Sequence, residues 1–335
     1  MDFTEYMDLA SERLGGRVLA ANDEFFAPKE NLLKPAAPVW IADKYTDLGK
    51  WMDGWETRRR RTPGCDWCIV KLGLAGIIHG VIVDTAHFKG NFPEHCELET
   101  CTMDGDPGPP KLNEPATSWG TLVPKSPLAG DTQNRFQTSS RSRATHLRFK
   151  IYPDGGVARL RVYGEVLPDW AAIERGPVEI DLAAAEHGGL VIDSTDMFFG
   201  SRNNLILPGR STGMHDGWET RRRRGPGHDS CILRLGAAGT VCRVEIDTSY
   251  FKGNFPDRCS LEVCRAERET TDPGALAALA WKEILPASKL KADSLHVYKK
   301  EILDAGEATH ARFHIYPDGG VARLRIFGRL ARRPT

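Results

Sequence analysis

Short apolar runs, each closed by glycine, proline or aspartate, dominate the hydrophobic pattern of this chain. Runs rich in valine, isoleucine, threonine or aromatic residues predict strands at Cys68–Leu72, Ile77–Asp84, Cys96–Thr102, Ala144–Ile151 and Val157–Val166. The turn-forming segment Tyr152–Gly156 is predicted to join the last two strands into a hairpin. Helical periodicity is confined to Tyr6–Leu14 and Pro273–Leu285. Many short strands and few short helices predict an all-β fold of the sandwich or jelly-roll type.

Three sequence blocks occur twice in the chain. DGWETRRRR begins at Asp53 and Asp216, FKGNFP at Phe88 and Phe251, and IYPDGGVARLR at Ile151 and Ile315. A period of 163 to 164 residues suits a whole domain and is too long for a solenoid unit. We therefore predict two domains, residues 1–170 and 171–335. The first copy carries about ten extra residues between Asn31 and Asp53.

Charge and hydropathy narrow the range of partners. The 335-residue chain has 45 basic and 45 acidic residues, so no net field draws it to nucleic acid or to an anionic membrane. Its N-terminus lacks the basic and apolar regions of a secretory signal. It has no apolar stretch of about 18 residues that could span a bilayer. We therefore expect a cytoplasmic protein that binds neither nucleic acid nor membranes.

The eight cysteines fit a reducing compartment. Cys65 and Cys68 form a CxxC motif, but no second CxxC follows, and the motif lies in a Pro-Gly loop that enters a strand. Neither redox nor zinc chemistry is therefore expected from it. Cys96 and Cys101 are predicted to lie on opposite faces of a strand, which disfavours a disulfide between them.

The four arginines of DGWETRRRR allow two interpretations. Charge runs usually form a solvated face or a nucleic-acid patch. If the strand continues through the run, however, Arg58 and Arg60 lie on one side, and Arg59 and Arg61 on the other. The neutral chain and the neighbouring Glu56 favour an arginine that grips a small carboxylate by its bidentate fork.

The block DTAHFKGNFP follows an apolar strand that ends at Asp84. Its Gly-Asn turn places His87, Lys89 and Asn91 on a loop at the end of the sheet, where binding sites are commonly built. Alternatively, the block is a turn whose phenylalanines fill the core, and the two roles are compatible. His87 is the weaker candidate because the second copy has Tyr250 at this position.

The third block begins with the alternating segment THLRFKIY, which predicts a strand with one polar and one buried face. A polar face of this kind is most often solvated. His146 and Arg148 nevertheless recur as His310 and Arg312. Two further repeated arginines are predicted to face them across the hairpin, Arg159 and Arg161.

These blocks resemble one known family. GxSxG, HExxH, Walker and dinucleotide motifs are missing, which argues against nucleophilic serine or cysteine catalysis. DGWETRRRR, DTxxFKGNxP and IYPDGGxARLRVYG together resemble the allantoicase family over both repeats and nearly the whole chain. The resemblance implies two tandem galactose-binding-like jelly-roll domains in a hydrolase of purine and allantoin breakdown. It further implies the reaction of allantoate with water to ureidoglycolate and urea, at a C–N bond of a linear amidine.

Allantoate carries two ureido groups and one carboxylate on a single carbon. Expelling urea requires a cation at the carboxylate, a general acid for the departing group, and a base or acceptor for water. The titratable candidates are Glu56, Asp84, His87 and His146. The substrate-binding candidates are Arg58, Arg60, Lys89, Asn91 and Arg148 in the first repeat, and Glu219, Arg221, Lys252, Asn254, His310 and Arg312 in the second. No ligand spacing demands a metal, although a divalent ion held by Asp or Glu with His is compatible with these residues.

The main alternative is a non-catalytic sandwich that binds a carbohydrate or another ligand, since jelly rolls are widely used for recognition alone. Polar and titratable residues dominate the repeated blocks, which favours an enzyme. The repeated residues are compatible with two separate pockets, or with one composite pocket from both repeats or from neighbouring subunits. We also expect a homo-oligomer.

Overall fold

The computed structural model describes residues 2–267 and 270–331. These residues form two compact units that divide between Leu167 and Pro168. The extents 1–170 and 171–335 stay a prediction, and residues 332–335 lie outside the described part of the chain. Among the described residues, no helix is long and apolar enough to cross a membrane.

The first unit consists almost wholly of strands. They are β1 (Met7–Asp8), β2 (Arg17–Ala21), β3 (Tyr45–Thr46), β4 (Gly49–Lys50), β5 (Trp55–Glu56), β6 (Asp66–Asp84), β7 (His95–Cys101), β8 (Gly120–Pro127), β9 (Gln133–Gln137), β10 (Arg143–Tyr152), β11 (Gly156–Val157) and β12 (Arg159–Val166). The helix α1 spans Pro109–Leu112, and short 3₁₀ helices span Phe3–Glu5, Glu12–Leu14 and Lys29–Leu33.

The second unit repeats this arrangement. Its strands are β13 (Ile180–Asp181), β14 (Leu190–Ser194), β15 (Trp218–Glu219), β16 (Asp229–Asp247), β17 (Arg258–Cys264), β18 (Lys282–Lys289), β19 (Leu295–Tyr298), β20 (Glu307–Tyr316), β21 (Gly320–Val321) and β22 (Arg323–Leu330). Its helices are α2 (Trp170–Glu174) and α3 (Pro273–Ala277), with 3₁₀ helices at Ala185–His187, Arg202–Ile206 and Met214–Asp216. The predicted all-β class with few short helices is confirmed.

The long strand β6 joins the two parts of the first sheet. Its first residues pair with β2 and β10, whereas residues 76–84 pair with β12 and β9. The strands predicted at Cys68–Leu72 and Ile77–Asp84 are therefore one strand with an irregularity between them. Gly73 and Gly76 mark that irregularity, because a Cβ on either would lie 2.4 or 2.1 Å from a neighbouring carbonyl oxygen.

The predicted hairpin of the third block is wrong. β10 pairs with β6 and β7, whereas β12 pairs with β1 and β6. The segment Tyr152–Gly156 carries the chain from one part of the sheet to the other, and β11 pairs with β5. Turn residues specify a change of direction but not the strand that receives the next pairing. Arg159 and Arg161 consequently do not lie opposite His146 and Arg148.

The predicted helix at Tyr6–Leu14 is also wrong, and the one at Pro273–Leu285 is too long. The first segment contains β1, because Met7 pairs with Gly164 of β12. In the second segment, α3 ends at Ala277 and β18 begins at Lys282. Short helices are marginal in water without tertiary support, so strand pairing prevails in both segments.

The three repeated blocks meet at a buried phenylalanine in each unit. Phe88 of the second block is fully buried. A Cβ on Gly156 of the third block would lie 1.9 Å from the Phe88 ring, and one on Gly54 of the first block would lie 2.8 Å from it. In the second unit, a Cβ on Gly320 would likewise lie 1.9 Å from the Phe251 ring. Packing of glycine backbone against this ring therefore brings the polar ends of the blocks together.

Candidate active site

The first unit contains a cavity of about 710 Å³ where the repeated blocks meet. The end of β5 provides Glu56, and the loop after β6 provides His87, Lys89, Gly90 and Asn91. The remaining lining consists of Phe26, Asp131 and residues from the segment between Asn31 and Asp53, which is about ten residues longer than its counterpart in the second repeat: Trp40, Leu48, Gly49, Lys50 and Met52. Four of the residues that the sequence suggested therefore surround one space.

Glu56 and Asn91 form the polar centre of this cavity. The Asn91 side-chain Nδ2 donates to Glu56 Oε1 at 2.7 Å. Burial raises the pKa of Glu56, and the hydrogen bond from Asn91 only partly opposes that shift. Backbone bonds hold both residues, because Glu56 donates to Ala27 O at 3.1 Å and Gly156 donates to Asn91 O at 2.8 Å. Glu56 is therefore a carboxyl group whose proton is retained to higher pH than usual.

His87 borders the cavity in a strained backbone conformation. Its φ of 71° lies in the left-handed region. The bond from its backbone N–H to Asp131 Oδ1, at 2.7 Å, helps to hold this conformation. Its Nε2 lies 3.3 Å from Pro38 O, which can only accept, so this contact requires the ring proton on Nε2. Trp40 lies beside the imidazole, with ring centroids 5.9 Å apart.

Two lysines border the cavity, and repeat comparison pointed to only one of them. Lys89 is 79% exposed at its side chain, with its Nζ 3.8 Å from Asp131. Lys50, which was missed, donates to Ile41 O at 2.7 Å and to Ala42 O. Its ammonium also lies 4.6 Å from the Trp40 ring centroid. The signal that could have found Lys50 is the insertion itself, which is rich in lysine and aromatic residues and present in one copy only.

A buried arginine, Arg159, binds residues near both ends of the insertion. Arg159 is 1% exposed, and its Nη2 lies 2.7 Å from Asp53 Oδ2. It also donates from Nε to Ala36 O and from Nη1 to Asp53 O, both at 2.9 Å. Val39 N donates to the same Asp53 carboxylate at 3.0 Å. Arg159 thus ties both ends of the segment that walls the cavity.

Arg58 and Arg60 do not line the cavity. Arg58 Nε donates to Asp23 at 2.6 Å, and Arg60 Nη1 donates to Asp66 at 2.6 Å. The predicted alternation of the arginine run is wrong because β5 ends at Glu56 and the run lies in a loop. Each guanidinium already has a carboxylate of this chain as its partner.

His146 and Arg148 lie in a different cluster on β10. His146 is fully buried, with Nδ1 2.8 Å from Thr145 Oγ1, and burial lowers its pKa to about 4. Arg148 donates to Glu99 at 2.6 Å and lies 4.7 Å from the Trp119 ring centroid. Trp119 therefore covers Arg148 on the predicted polar face. Neither His146 nor Arg148 lines the cavity.

Asp84 also stands apart from the cavity lining. It is 4% exposed, accepts from Ala86 N at 2.8 Å and accepts from Gln133 Nε2 at 3.3 Å. These bonds fix the turn that begins the loop carrying His87, so Asp84 supports that loop.

The second unit has its own cavity, of about 640 Å³. Asn254 Nδ2 donates to Glu219 Oε1, as in the first unit. The lining also includes Phe199, Arg222, Arg223, Asp257 and Asp318, but neither Tyr250 nor Lys252. The other repeated candidates again lie outside: Arg221 pairs with Asp196, Arg312 with Glu262, and His310 contacts Thr270 O.

Cysteines and metal ligands add little to this picture. All eight cysteines are free thiols, including Cys65 and Cys68. Burial raises the pKa of Cys101 to about 11, which keeps its thiol protonated at neutral pH. Within the described residues, no group of three or more His, Cys, Asp and Glu side chains is placed to hold a metal ion.

The fold and the cavities define a duplicated jelly-roll protein in which each unit has a carboxylate–carboxamide pair beside a cavity. A family model, Allantoicase repeat, matches residues 7–167 and 180–331. "Probable allantoicase 2" of Burkholderia pseudomallei is 47% identical, over 97% of this chain and 95% of that protein. "Allantoicase" of Dictyostelium discoideum is 47% identical, over 96% and 87% of the two chains.

Solved structures agree with these relatives. The crystal structure of allantoicase from Saccharomyces cerevisiae superposes with a TM-score of 0.81 at 36% identity, covering 96% of this chain and 92% of that one. The chain belongs to the allantoicase family. The resemblance carried by the three blocks is thereby confirmed, together with the tandem jelly-roll fold that it implied.

Proposed function

We propose that this protein hydrolyses allantoate to ureidoglycolate and urea in allantoin degradation, and that the cavity of the first repeat is its catalytic site. The observation that carries the proposal is Glu56, a desolvated carboxyl group held by Asn91 inside a cavity bordered by basic side chains. Membership of the allantoicase family supports the reaction, and the lining residues support the location.

The lining matches the parts of allantoate. Lys89 and Lys50 supply positive charge for the carboxylate, and a lysine ammonium has three donors, of which Lys50 uses two on Ile41 and Ala42 carbonyls. Asn91 Nδ2 donates to Glu56, and within the described residues Asn91 Oδ1 accepts no hydrogen bond, so it can accept from a ureido N–H. Asp131 offers a further acceptor at the same cavity.

The proposed reaction proceeds by elimination and addition. Protonated Glu56 gives its proton to one ureido nitrogen, and the lone pair of the other ureido nitrogen expels urea as the C–N bond breaks. The resulting N-acyl iminium carbon is attacked by water, which returns a proton to the Glu56 carboxylate. Carbon–oxygen bond formation yields ureidoglycolate, and Glu56 is again protonated. The raised pKa of Glu56 suits the first step because the neutral acid is the proton donor.

Glu56→Gln tests this role. It should lower kcat for urea release by about 10²- to 10⁴-fold, the usual contribution of a general acid–base group, with a smaller change in KM. The matched control is Glu94→Gln, since Glu94 is exposed and lies outside the cavity lining. Circular dichroism checks that both variants fold. A folded Glu56→Gln protein with the parent's kcat would exclude Glu56 as the acid.

The broader assignment is also a proposal. We infer a homo-oligomer that acts in the cytoplasm and binds no nucleic acid. The balance of 45 basic and 45 acidic residues supports the last of these, since a nucleic-acid partner requires an excess of basic charge.

A further inference from the structure

The second repeat keeps the centre of the site but not its surroundings. Glu219 accepts from Asn254 as Glu56 accepts from Asn91. Backbone bonds hold the pair alike: Phe199 N donates to Glu219 O at 3.2 Å, and Gly320 N donates to Asn254 O at 2.8 Å. A polar pair that packing alone required would not need a cavity beside it, yet about 640 Å³ of space opens there.

The features that would support turnover are missing from this second site. Tyr250 replaces His87 and does not line the cavity. The loop between Asn204 and Asp216 is about ten residues shorter than its counterpart, so no residues equivalent to Trp40 or Lys50 are present. The cavity opens instead toward the arginine run and the turn at Pro317, Asp318 and Gly319.

Arg222 is the uncommitted cation of this cavity. It is exposed, and within the described residues it forms neither an ion pair nor a hydrogen bond through its side chain. Arg223, by contrast, is paired with Asp229 at 2.5 Å. The acidic residues of the lining are partly committed too, since Asp257 pairs with Lys289 at 2.5 Å and Asp318 accepts from the Arg223 backbone at 2.8 Å.

We propose that the cavity of the second repeat is a separate, non-hydrolytic binding site for a small molecule that carries a ureido group beside a carboxylate. Arg222 binds the carboxylate through its guanidinium fork. Glu219 and Asn254 Oδ1 accept from the ureido N–H groups. A ureido group has several N–H donors, so it can donate to two neighbouring acceptors at once. The choice of ligand class rests on the proposed function, because it transfers the chemistry of the first Glu–Asn pair to the second.

The test counts binding sites with N-carbamoylglycine, which has the ureido group and the carboxylate but no second ureido group to expel. Isothermal titration should find two sites per parent chain, and one per chain in Arg222→Ala and in Asn254→Ala. Arg224→Ala is the matched control, because Arg224 is exposed and outside the lining, and it should keep two sites. N-acetylglycine, which replaces the terminal NH₂ by methyl, should bind the Arg222-dependent site at least tenfold more weakly.

The comparison separates this inference from the proposed function. A site that both Arg222→Ala and Asn254→Ala remove supports the inference, whatever Glu56→Gln does to kcat. Equal site counts in the parent and in both folded variants would overturn it, even if Glu56→Gln abolishes urea release. Equal affinity of the site for N-acetylglycine would overturn the assignment of a ureide ligand.

Discussion

At the scale of single residues, the chemistry of Glu56 follows from the atoms around it. Glu56 and Glu219 occupy equivalent positions and accept from equivalent asparagines. Glu56 lines the same cavity as Trp40 and Met52, and its burial raises its pKa. Residue type is therefore shared between the repeats, whereas the residues that line the cavity beside each pair are not.

The pH dependence of kcat tests this environment. In the proposed mechanism protonated Glu56 is the donor, so activity should be present below its raised pKa and should be lost as pH rises through it. The descending limb should lie above the ordinary glutamate pKa of about 4.3. The folded state holds the Glu56 proton more tightly than the unfolded state does. The contribution of Glu56 to the free energy of unfolding therefore falls as pH rises from the ordinary glutamate pKa through the raised one. A limb that persists unchanged in Glu56→Gln would assign it to another group.

At the scale of loops and strands, the two repeats differ in the length of the segment that precedes the first block, between Asn31 and Asp53 and between Asn204 and Asp216. Comparison of the repeats identifies positions that both copies keep, which is why it indicates Lys89 and Asn91 together with Glu56; His87, which Tyr250 replaces, is indicated by its place on the same loop. Lys50 was missed because comparison of the repeats cannot mark a residue that only one copy has.

The errors at this scale share a physical origin. The sequence pattern predicts a strand through the arginine run, but that strand ends at Glu56; it predicts a hairpin at Arg159, but the strands of that segment pair elsewhere. His146 was expected on an open polar face, but its side chain is completely buried. The local sequence pattern predicts where strands lie, whereas strand pairing and the burial of side chains depend on residues far away in sequence.

Replacing residues 35–52 by residues 208–215 tests the insertion as an element. The fold should survive, because the tie between Arg159 and Asp53 has a counterpart between Arg323 and Asp216, at 2.7 and 2.9 Å. KM for allantoate should rise about 10- to 100-fold, since a hydrogen bond to a charged group contributes about 1.5–3 kcal/mol. Kinetics and a thermal melt give both quantities.

The single variant Lys50→Met should reproduce part of that rise in KM. Lys44→Met is its control, because Lys44 lies over Trp51 at 3.7 Å and outside the lining. A grafted protein that folds and keeps the parent KM would show that the insertion plays no part in substrate binding.

At the scale of the whole molecule, a duplicated domain carries two cavities with different linings. Both copies retain the glycine–phenylalanine packing that holds the blocks together, as Gly156 with Phe88 and Gly320 with Phe251 show. Each copy also keeps a cavity beside its Glu–Asn pair. The cavities face different neighbours, the insertion in one case and the arginine run in the other, so identical blocks do not entail identical activity.

The separate variants Lys89→Ala and Lys252→Ala test which repeat contains the catalytic site. Both lysines follow the buried phenylalanine of their block, but Lys89 lines the cavity beside Glu56, whereas Lys252 does not line the one beside Glu219. Loss of its charge should lower kcat/KM for allantoate about 10- to 100-fold, mainly through KM, because a contact to the carboxylate is made equally in ground and transition states. Lys252→Ala should have a much smaller effect, since Lys252 does not line the cavity of the second repeat. Near-total loss from either change alone would mean that both lysines serve one site. Half of the parent kcat from each would mean two independent working sites, and the assignment of catalysis to the first repeat would then be wrong.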